Sequence, residues 1–574
     1  MAVKPLTLKR QRGVTSVKAR TFEFSAEVCI EGLPFHLPET YSYGIPNELV
    51  SLVQVGSNVR VPFRNDVCDG FVLSISTSNQ SPVKPIVSIG KDRIEPQLIE
   101  SARAISERYI CRLSDILRMI YPIPVGELIS SRNKPRRNLS WISLRGDWIA
   151  EESERITSYK SLLIIFPTNR DLERLAERLT TSGIKYVDLR EKNSEREFGG
   201  VFLGLRSAIF AQINNLEAIW IVDENSEHHW ERRSPRWNTR DVALIRYQNE
   251  DFELRFLSVC PSLELWRLYE LGYIKNERSS SKRKPDRRIF FNSDSIHKAI
   301  RLGLEKGSVL VTVAGKDYVK ALACSKCSSA PRCECGGVLL PTPKNLLKCT
   351  ICNQSKPWKC SECGSAKYNM IGKGAQKLKE EFRKSFPNIS IYSSTSEREI
   401  LKVPEKSIVI ATSGMEPVGM FGAIISLDTL FLQNIPELRA EEKLRMQLFT
   451  LLNNLVEGGA LFLNLPANNR LSKSISLDSP ENSIFSELAE RSDASLPPNW
   501  RIVRIECEAV SSAISGLISE HPNVLVSYES SRVAILRAEV SKTGELAKSI
   551  KLLQIYRSLS RKPLLNLEID PYKL

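Results

Sequence analysis

No run of about 18 apolar residues occurs anywhere in this 574-residue chain, so a membrane-spanning helix is not expected. The first twenty residues carry Lys4, Lys9, Arg10, Arg12, Lys18 and Arg20 but no apolar stretch after them. That excludes a secretory signal of the usual form. Acidic residues are in short supply: 66 Asp+Glu stand against 81 Lys+Arg, a net charge of +15. The surplus favours a polyanionic partner, most simply nucleic acid, through phosphate neutralisation and counterion release. Histidine is scarce, with five in all. Hydrophobic residues at 42% and charged ones at 26% exclude a disordered chain. The length predicts several domains.

Cysteine is present but unevenly spread. Eight of the thirteen lie between Cys324 and Cys363, while Cys29, Cys68, Cys111, Cys260 and Cys507 are scattered in apolar or strand-like stretches. An odd, crowded set of this kind does not make a disulfide framework; reduced thiols holding metal fit better.

The chain divides by pattern. Residues 1–20 form a basic tail, and 21–125 a β-rich module with strand signals at Phe22–Ile30, Thr40–Tyr43, Val55–Phe63 and Gly70–Ser76. Helical spacing of Leu98, Ala102, Ile105, Tyr109, Leu113, Ile116 and Leu117 predicts one helix over 97–120. Residues 126–140, with Arg132, Lys134, Arg136 and Arg137, read as a basic linker. Apolar runs at Ser161–Phe166, Gly200–Leu203 and Ala218–Val222 alternate with charged helical stretches, which predicts a parallel α/β layer over 141–280. After a basic break at 282–288, a second α/β unit spans 281–322 and 364–498, with strands at Ser308–Thr312, Ile389–Tyr392, Ser407–Ala411 and Ala460–Leu463. Residues 323–363 are inserted into it. The last segment, 499–574, mixes strand and helix signals without a legible topology.

The insertion carries Cys324-x2-Cys327, Cys333-x-Cys335, Cys349-x2-Cys352 and Cys360-x2-Cys363. Eight thiolates suffice for two tetrahedral zinc ions, and no histidine lies within the block. Iron–sulfur ligation is the other sulfur-only reading. The inner knuckles are thirteen residues apart, near the zinc-ribbon spacing. They would then hold one ion through Cys333, Cys335, Cys349 and Cys352, leaving Cys324, Cys327, Cys360 and Cys363 to hold the other. Both sites would be structural, since a closed sulfur tetrahedron leaves no position for water.

The segments TYSY, VGSNVRVPF, GLRSAIFA, VDEN and PRWNTRDVALIR, in this order and followed by the eight-cysteine insert, resemble the PriA family of replication-restart helicases. The resemblance runs from about Phe22 to the end of the sequence. It implies two RecA-like helicase lobes for the α/β units, an N-terminal module that captures the 3′ end of a nascent strand, and the nested zinc pairing. It further implies forked and single-stranded DNA, single-strand-binding protein and the replicative helicase machinery as partners, and a bacterial cytoplasmic, nucleoid-associated location.

The departures from that family concern nucleotide. A triphosphate needs a glycine-rich loop of amides, a lysine and a Ser/Thr for magnesium, and no GxxxxGK[ST] occurs. The loop's position holds Leu144-Arg145-Gly146-Asp147-Trp148; Lys160-Ser161 has no glycine-rich run before it, and Gly315-Lys316 is followed by Asp317. Asp223-Glu224 ends a strand as magnesium-holding acids do, but Asn225-Ser226 replace the family's next Glu and His. Met446–Val456 lacks the family's arginine and carries Asn453 and Asn454. The pattern resembles the helicase-inactive form of the family found in actinobacteria. A winged-helix segment is also missing, with only the basic linker in its place.

The sequence therefore reads as a replication-restart DNA-binding scaffold with a degenerate ATP site, no catalytic or cofactor-binding residues, no ATP use, no membrane association and two zinc ions. An active 3′→5′ helicase with an unusual phosphate site, or a zinc-ribbon RNA-binding or transcription factor, are the rival classes. Candidate DNA contacts are Tyr41 and Tyr43, which suit base stacking or a strand core alike; Phe35 is read in the same way. Ser42 stands where the family has an acid for the 3′ end. Arg60 and Arg64 suit phosphate or a solvated strand edge, and Arg206 and Ser207 align with a DNA-backbone segment of the first lobe.

Overall fold

The computed structural model describes residues 20–77, 83–122, 137–144, 148–190, 200–278, 286–292, 296–315, 321–327, 333, 339–341, 346–349, 354–360, 362–371, 375–435 and 437–574. Five antiparallel strands build the N-terminal module, in the spatial order Thr40–Gly44, Phe24–Ile30, Asp66–Thr77, Ser57–Phe63, Ser88–Arg93. Alternation puts Ala26, Val28, Val59, Val61 and Val72 inside. The helix expected over 97–120 is two: Pro96–Arg108 and Leu113–Leu117. The break falls at Ile110, whose φ of 52° no helix accepts. Tertiary contacts hold it: the Tyr109 hydroxyl accepts from the Asn238 amide at 3.0 Å, and Arg112 donates to the carbonyls of Leu37 and Pro38 at 3.2 and 3.0 Å.

Seven parallel strands form the first large sheet, ordered Lys275–Arg278, Leu139–Ser143, Glu253–Ser258, Ala218–Val222, Leu162–Ile165, Val201–Gly204, Tyr186–Asp188. Leu162–Ile165, Val201–Gly204 and Ala218–Val222 are apolar and buried throughout, as strands covered by helices on both faces are. Two sequence boundaries shift. Leu139 and Ser140, read as linker, are already strand, and Tyr121–Pro122 pairs in parallel with Ala211–Gln212. The second sheet has six parallel strands, ordered Arg287–Phe291, Leu455–Leu463, Phe421–Ser426, Val309–Val313, Ser407–Thr412, Ser390–Ser394. Arg287 and Arg288, read as part of a basic break, are its edge strand. Sheet hydrogen bonding to Leu455–Leu463 outweighs their charge there, because one strand face is open to water.

The cysteine insert leaves after Val309–Val313 and returns before the helix Ala375–Ser385. Its neck is one antiparallel pair, Ala321–Cys324 with Tyr368–Ile371. The segment from 499 onward folds as β-α-β-β-α-β, with strands in the order Leu525–Tyr528, Val533–Glu539, Trp500–Glu506, Asn566–Ile569, all antiparallel. This is the ferredoxin-like arrangement. Its long helix, Thr543–Leu559, packs through Leu546 and Ile550.

Charges, not only apolar side chains, join these units. A buried series runs Glu224–Arg240 (3.1 Å), Arg240–Glu264 (3.3 Å), Glu264–Arg439, Arg439–Glu442 (3.2 Å), Glu442–Arg491 (3.4 Å), Arg491–Glu487 (2.6 Å) and Glu487–Arg445 (2.8 Å). Its first three members belong to the seven-stranded unit and the remainder to the six-stranded unit. A branch, Arg240–Asp241 (3.4 Å), Asp241–Arg108 (2.5 Å), Arg108–Asp570 (2.8 Å) and Asp570–Arg501 (2.6 Å), reaches the N-terminal module and the ferredoxin-like unit. Removing one member of a buried pair leaves an uncompensated charge. Arg439→Met, which would leave Glu264 and Glu442 facing each other, is expected to destabilise the protein by about 3–5 kcal/mol in urea unfolding. A loss within about 0.5 kcal/mol, the range of ordinary surface changes, would show the series to be incidental.

Candidate functional site

Ligands of parallel α/β sheets bind outside the carboxyl ends of the strands, and the sequence candidates Asp223, Glu224, Arg206, Ser207 and Leu144 all lie there in the first large sheet. Asp223 follows Ala218–Val222 in a left-handed conformation, φ 47°. Its Oδ1 is sealed from solvent and has no hydrogen-bond partner among the described residues. Burial, reinforced by the charges of Asp171 and Glu224, pushes its pKa up to about 8. Glu224 is fully buried, with Oε1 accepting the Ser262 amide at 2.8 Å and Oε2 accepting Arg240 at 3.1 Å. Beside them His229 sits against the Val222 carbonyl at 2.9 Å, and burial lowers its pKa to about 4. One carboxylate of the pair is thus engaged inside the protein, and burial holds the other toward its neutral form.

Strand Leu139–Ser143 and helix Trp148–Ser158 are joined by four residues, of which 145–147 lie outside the described residues. A GxxxxGK[ST] loop is eight residues long. From the second unit, the Asn453 amide reaches across and donates to the Leu144 carbonyl at 3.3 Å. Arg170 crosses at another point, pairing with Glu399 at 2.9 Å and donating to the Glu416 carbonyl at 3.2 Å. The cleft between the two sheets is thus bridged at both positions by uncharged and charged hydrogen bonds.

The insert brings four thiols together. Cys324, Cys327, Cys360 and Cys363 place their sulfurs within 4.8 Å of one another, with Cys324–Cys363 at 3.4 Å and Cys327–Cys360 at 3.5 Å. A tetrahedral ion with bonds of about 2.3 Å needs sulfurs about 3.8 Å apart, so the set fits zinc. Burial opposes ionisation of the Cys324 thiol, but the amides of Cys327 and Lys326 outweigh it and hold its pKa below the ordinary value. Of the inner knuckles, Cys333 and Cys349 share a small apolar cluster with Leu339, Leu347 and Trp358. Cys335 and Cys352 lie outside the described residues, as do Arg132, Lys134 and Arg136 of the basic linker.

The N-terminal candidates separate by burial. Tyr43 is core: its hydroxyl donates to the Pro62 carbonyl at 3.2 Å, and burial pushes its pKa up to about 12. Tyr41 is partly buried edge-on to Phe63, with centroids 5.1 Å apart. Ser42 is exposed, and its hydroxyl donates to Glu27 on the neighbouring strand, directly opposite in register. Glu27 is not legible as a candidate along the chain, because only strand pairing brings it to Ser42. Arg60 is exposed and faces Asp69 across its strand pair at 3.7 Å; Arg64 is exposed over the Phe63 ring. Arg206 is paired with Glu231 at 3.1 Å, and Ser207 beside it is exposed. Phe35 lines a separate cavity with Lys551 and Ile555. The DNA candidates therefore fall into two groups: Ser42, Arg60 and Arg64 on the N-terminal module, and Arg206 with Ser207 at the seven-stranded sheet.

Two outcomes follow from this geometry. Cys360→Ser should lose one metal equivalent by elemental analysis while far-UV circular dichroism of the sheets is retained, since the insert hangs on a two-strand neck. Asp223→Asn should be the more stable form at pH 8, by several kcal/mol. The sign follows from the raised pKa: the folded state keeps a proton that the unfolded state releases above about pH 4, so parental stability falls as pH rises toward 8. Denaturant midpoints for the two forms should converge near pH 4; a constant difference would exclude the linkage.

Residues 28–122 match the family of the PriA 3′DNA-binding domain. The chain is 24% identical over 580 residues to the probable replication restart protein PriA of Mycobacterium leprae, covering 84% of this chain and 88% of that one. It is 24% identical over 561 residues to the Mycobacterium bovis protein of the same name, covering 82% and 85%. The replication restart protein PriA of Haemophilus influenzae matches at 26% over 242 residues, 39% of this chain and 33% of that one. Among solved structures, Saccharomyces cerevisiae Dbp5 bound to RNA and ADP BeF3 aligns with a TM-score of 0.34 and 10% identity, over 68% of this chain and 91% of that chain. The arterivirus nonstructural protein 10 helicase aligns with a TM-score of 0.25 and 8% identity, over 80% and 77%. A match to the PriA 3′DNA-binding domain over residues 28–122, and restart proteins matching along more than four-fifths of its length, make the chain similar to the PriA family of replication restart proteins.

Proposed function

We propose that this protein is a DNA-binding replication-restart scaffold that recognises forked DNA through a 3′ end and recruits replication proteins without ATP-driven unwinding. The two parallel-sheet units are RecA-like helicase lobes whose nucleotide site has been given over to structure. One observation carries this reading: the acidic pair at the end of Ala218–Val222 is consumed internally, Glu224 by Ser262 and Arg240 and Asp223 by burial. Phosphoryl transfer needs magnesium and several donors to neutralise developing charge, and these residues offer neither. The arginine missing near Asn453 points the same way, as that side chain bonds Leu144 instead.

Glu27 and Ser42 are the proposed 3′-end contact. A carboxylate accepts from a terminal 3′-hydroxyl and repels a 3′-phosphate, and the strand pairing supplies one where the aligned position holds serine. Arg60, Arg64 and Arg206 are proposed phosphate contacts. The insert holds two zinc ions, one on the Cys324, Cys327, Cys360 and Cys363 cluster and one on Cys333, Cys335, Cys349 and Cys352, which shape a docking module for other replication proteins, with single-strand-binding protein and the replicative helicase as expected partners.

Purified protein should show no ATP turnover with forked DNA, and should bind a fork bearing a free 3′-hydroxyl more tightly than one ending in 3′-phosphate. Glu27→Gln should reduce that difference about tenfold without changing the salt slope, which reports phosphate contacts. Fork-stimulated ATP hydrolysis abolished by Asp223→Asn would overturn the scaffold reading in favour of an active helicase.

A further inference from the structure

The helix Thr543–Leu559 buries Leu546, Ile550, Gln554 and Arg557 on one face. On the opposite face Leu552, Tyr556 and Leu559 are 65%, 59% and 61% exposed. Their spacing of four and three residues sets them in one stripe along the helix. Large apolar side chains exposed singly are ordinary; three in register on a helix mark a surface that another element covers.

Two further features define what covers it. Lys542, Lys548, Arg561 and Lys562 are exposed along and beyond the helix and make no ion pair among the described residues, against a single exposed Glu545. The flanks are therefore basic. Alongside, the loop 35–39 of the N-terminal module stands up as a wall, fixed by His36 to Ser558 at 2.8 Å and Glu39 to Lys551 at 2.9 Å. Between wall and helix lies a cavity of about 410 Å³, lined by Phe35, Leu37, Lys551 and Ile555 among others.

We propose that this stripe is a docking surface for an amphipathic α-helix of another protein, one with acidic residues flanking its apolar face. Helix-in-groove recognition lays an apolar stripe into such a channel, and the side cavity accepts one of its large side chains. A second copy of this chain is disfavoured, because the same helix would bring basic flanks against basic flanks. Single-stranded nucleic acid is disfavoured as well: of the three stripe residues only Tyr556 has a ring on which a base can stack. A membrane surface would have to clear the wall at 35–39. Because wall and stripe come from different units, an occupant would grip the N-terminal module and the ferredoxin-like unit together.

The test uses the full-length protein and a fluorescein-labelled synthetic helix of about 20 residues, with a leucine stripe flanked by glutamates. The same helix with lysine flanks is the control, and anisotropy is the readout. The glutamate-flanked helix should bind, with at least tenfold weaker binding by L552E/L559E and by the lysine-flanked control. Both substituted positions are exposed, so the variant should melt with the parent; K548E, which leaves the stripe intact, should weaken binding about threefold. Equal binding of the two helices, or binding indifferent to L552E/L559E, would overturn the proposal. So would loss on L552E/L559E of binding to phosphatidylglycerol vesicles or to a 20-nucleotide DNA strand in place of the helix.

Discussion

Eight charges that alternate in sign hold the two parallel sheets against each other. Glu224, Arg240, Glu264, Arg439, Glu442, Arg491, Glu487 and Arg445 form one neutral chain, almost entirely out of water. Taking any one of them from water alone costs several kcal/mol, and only a partner on each side offsets that loss. The arrangement is accordingly intolerant of sliding or opening: parting Glu264 from Arg439 would strand charge on both units at once. Trp230 reinforces the junction, with the Arg439 and Arg240 guanidinium groups 5.2 and 5.8 Å from its ring and Tyr572 edge-on at 4.9 Å. Since Tyr572 and Asp570 follow the last strand of the ferredoxin-like unit, that unit closes the same junction from a third side.

A frame joined in this way has consequences for chemistry. Nucleotide-driven movement needs a cleft whose walls separate and approach as phosphate and magnesium come and go. Here the cleft's own polar groups satisfy one another, with Asn453 on Leu144, Arg170 on Glu399, and Glu224 on Ser262 and Arg240. On the proposed reading, each such bond takes up a donor or acceptor that a nucleotide would use. The raised pKa of Asp223 belongs to the same pattern, because burial and the charges of Asp171 and Glu224 favour its protonated form. On the proposed reading, the family's nucleotide machinery has become internal mortar, and the working surfaces lie outward on the N-terminal module, the insert and the last helix.

Much of this fold is legible in the amino-acid sequence. Apolar runs mark Leu162–Ile165, Ala218–Val222 and Ser407–Thr412 because strands covered on both faces have no polar positions. The cysteine spacing identifies Cys324, Cys327, Cys360 and Cys363, since local knuckles survive in any context. The strands Leu139–Ser143, Glu253–Ser258 and Arg287–Phe291 do not stand out. Each begins in charged or basic sequence, and pairing with a neighbouring strand, rather than its own composition, makes it a strand. The helix break at Ile110 is hidden for a related reason: its periodicity is continuous, and contacts distant in sequence, Asn238 with Tyr109 and Leu37 and Pro38 with Arg112, account for the interruption.

The ionic series is beyond sequence reading altogether. Arg and Glu residues are so common here that no pairing can be inferred from them, and Glu264 with Arg439 are 175 residues apart. Glu27 is the sharper instance. A serine at position 42 looks like the loss of a carboxylate when the chain is read linearly. Antiparallel pairing of Phe24–Ile30 with Thr40–Gly44 puts Glu27 directly opposite, and its oxygen meets the Ser42 hydroxyl. On the proposed reading, the carboxylate's chemistry has moved across one strand spacing, about 4.8 Å, while keeping to the same face of the sheet. What a site requires is a charge at a point in space, and a β-sheet allows two sequence positions to supply it; comparison along the chain alone sees only one of them.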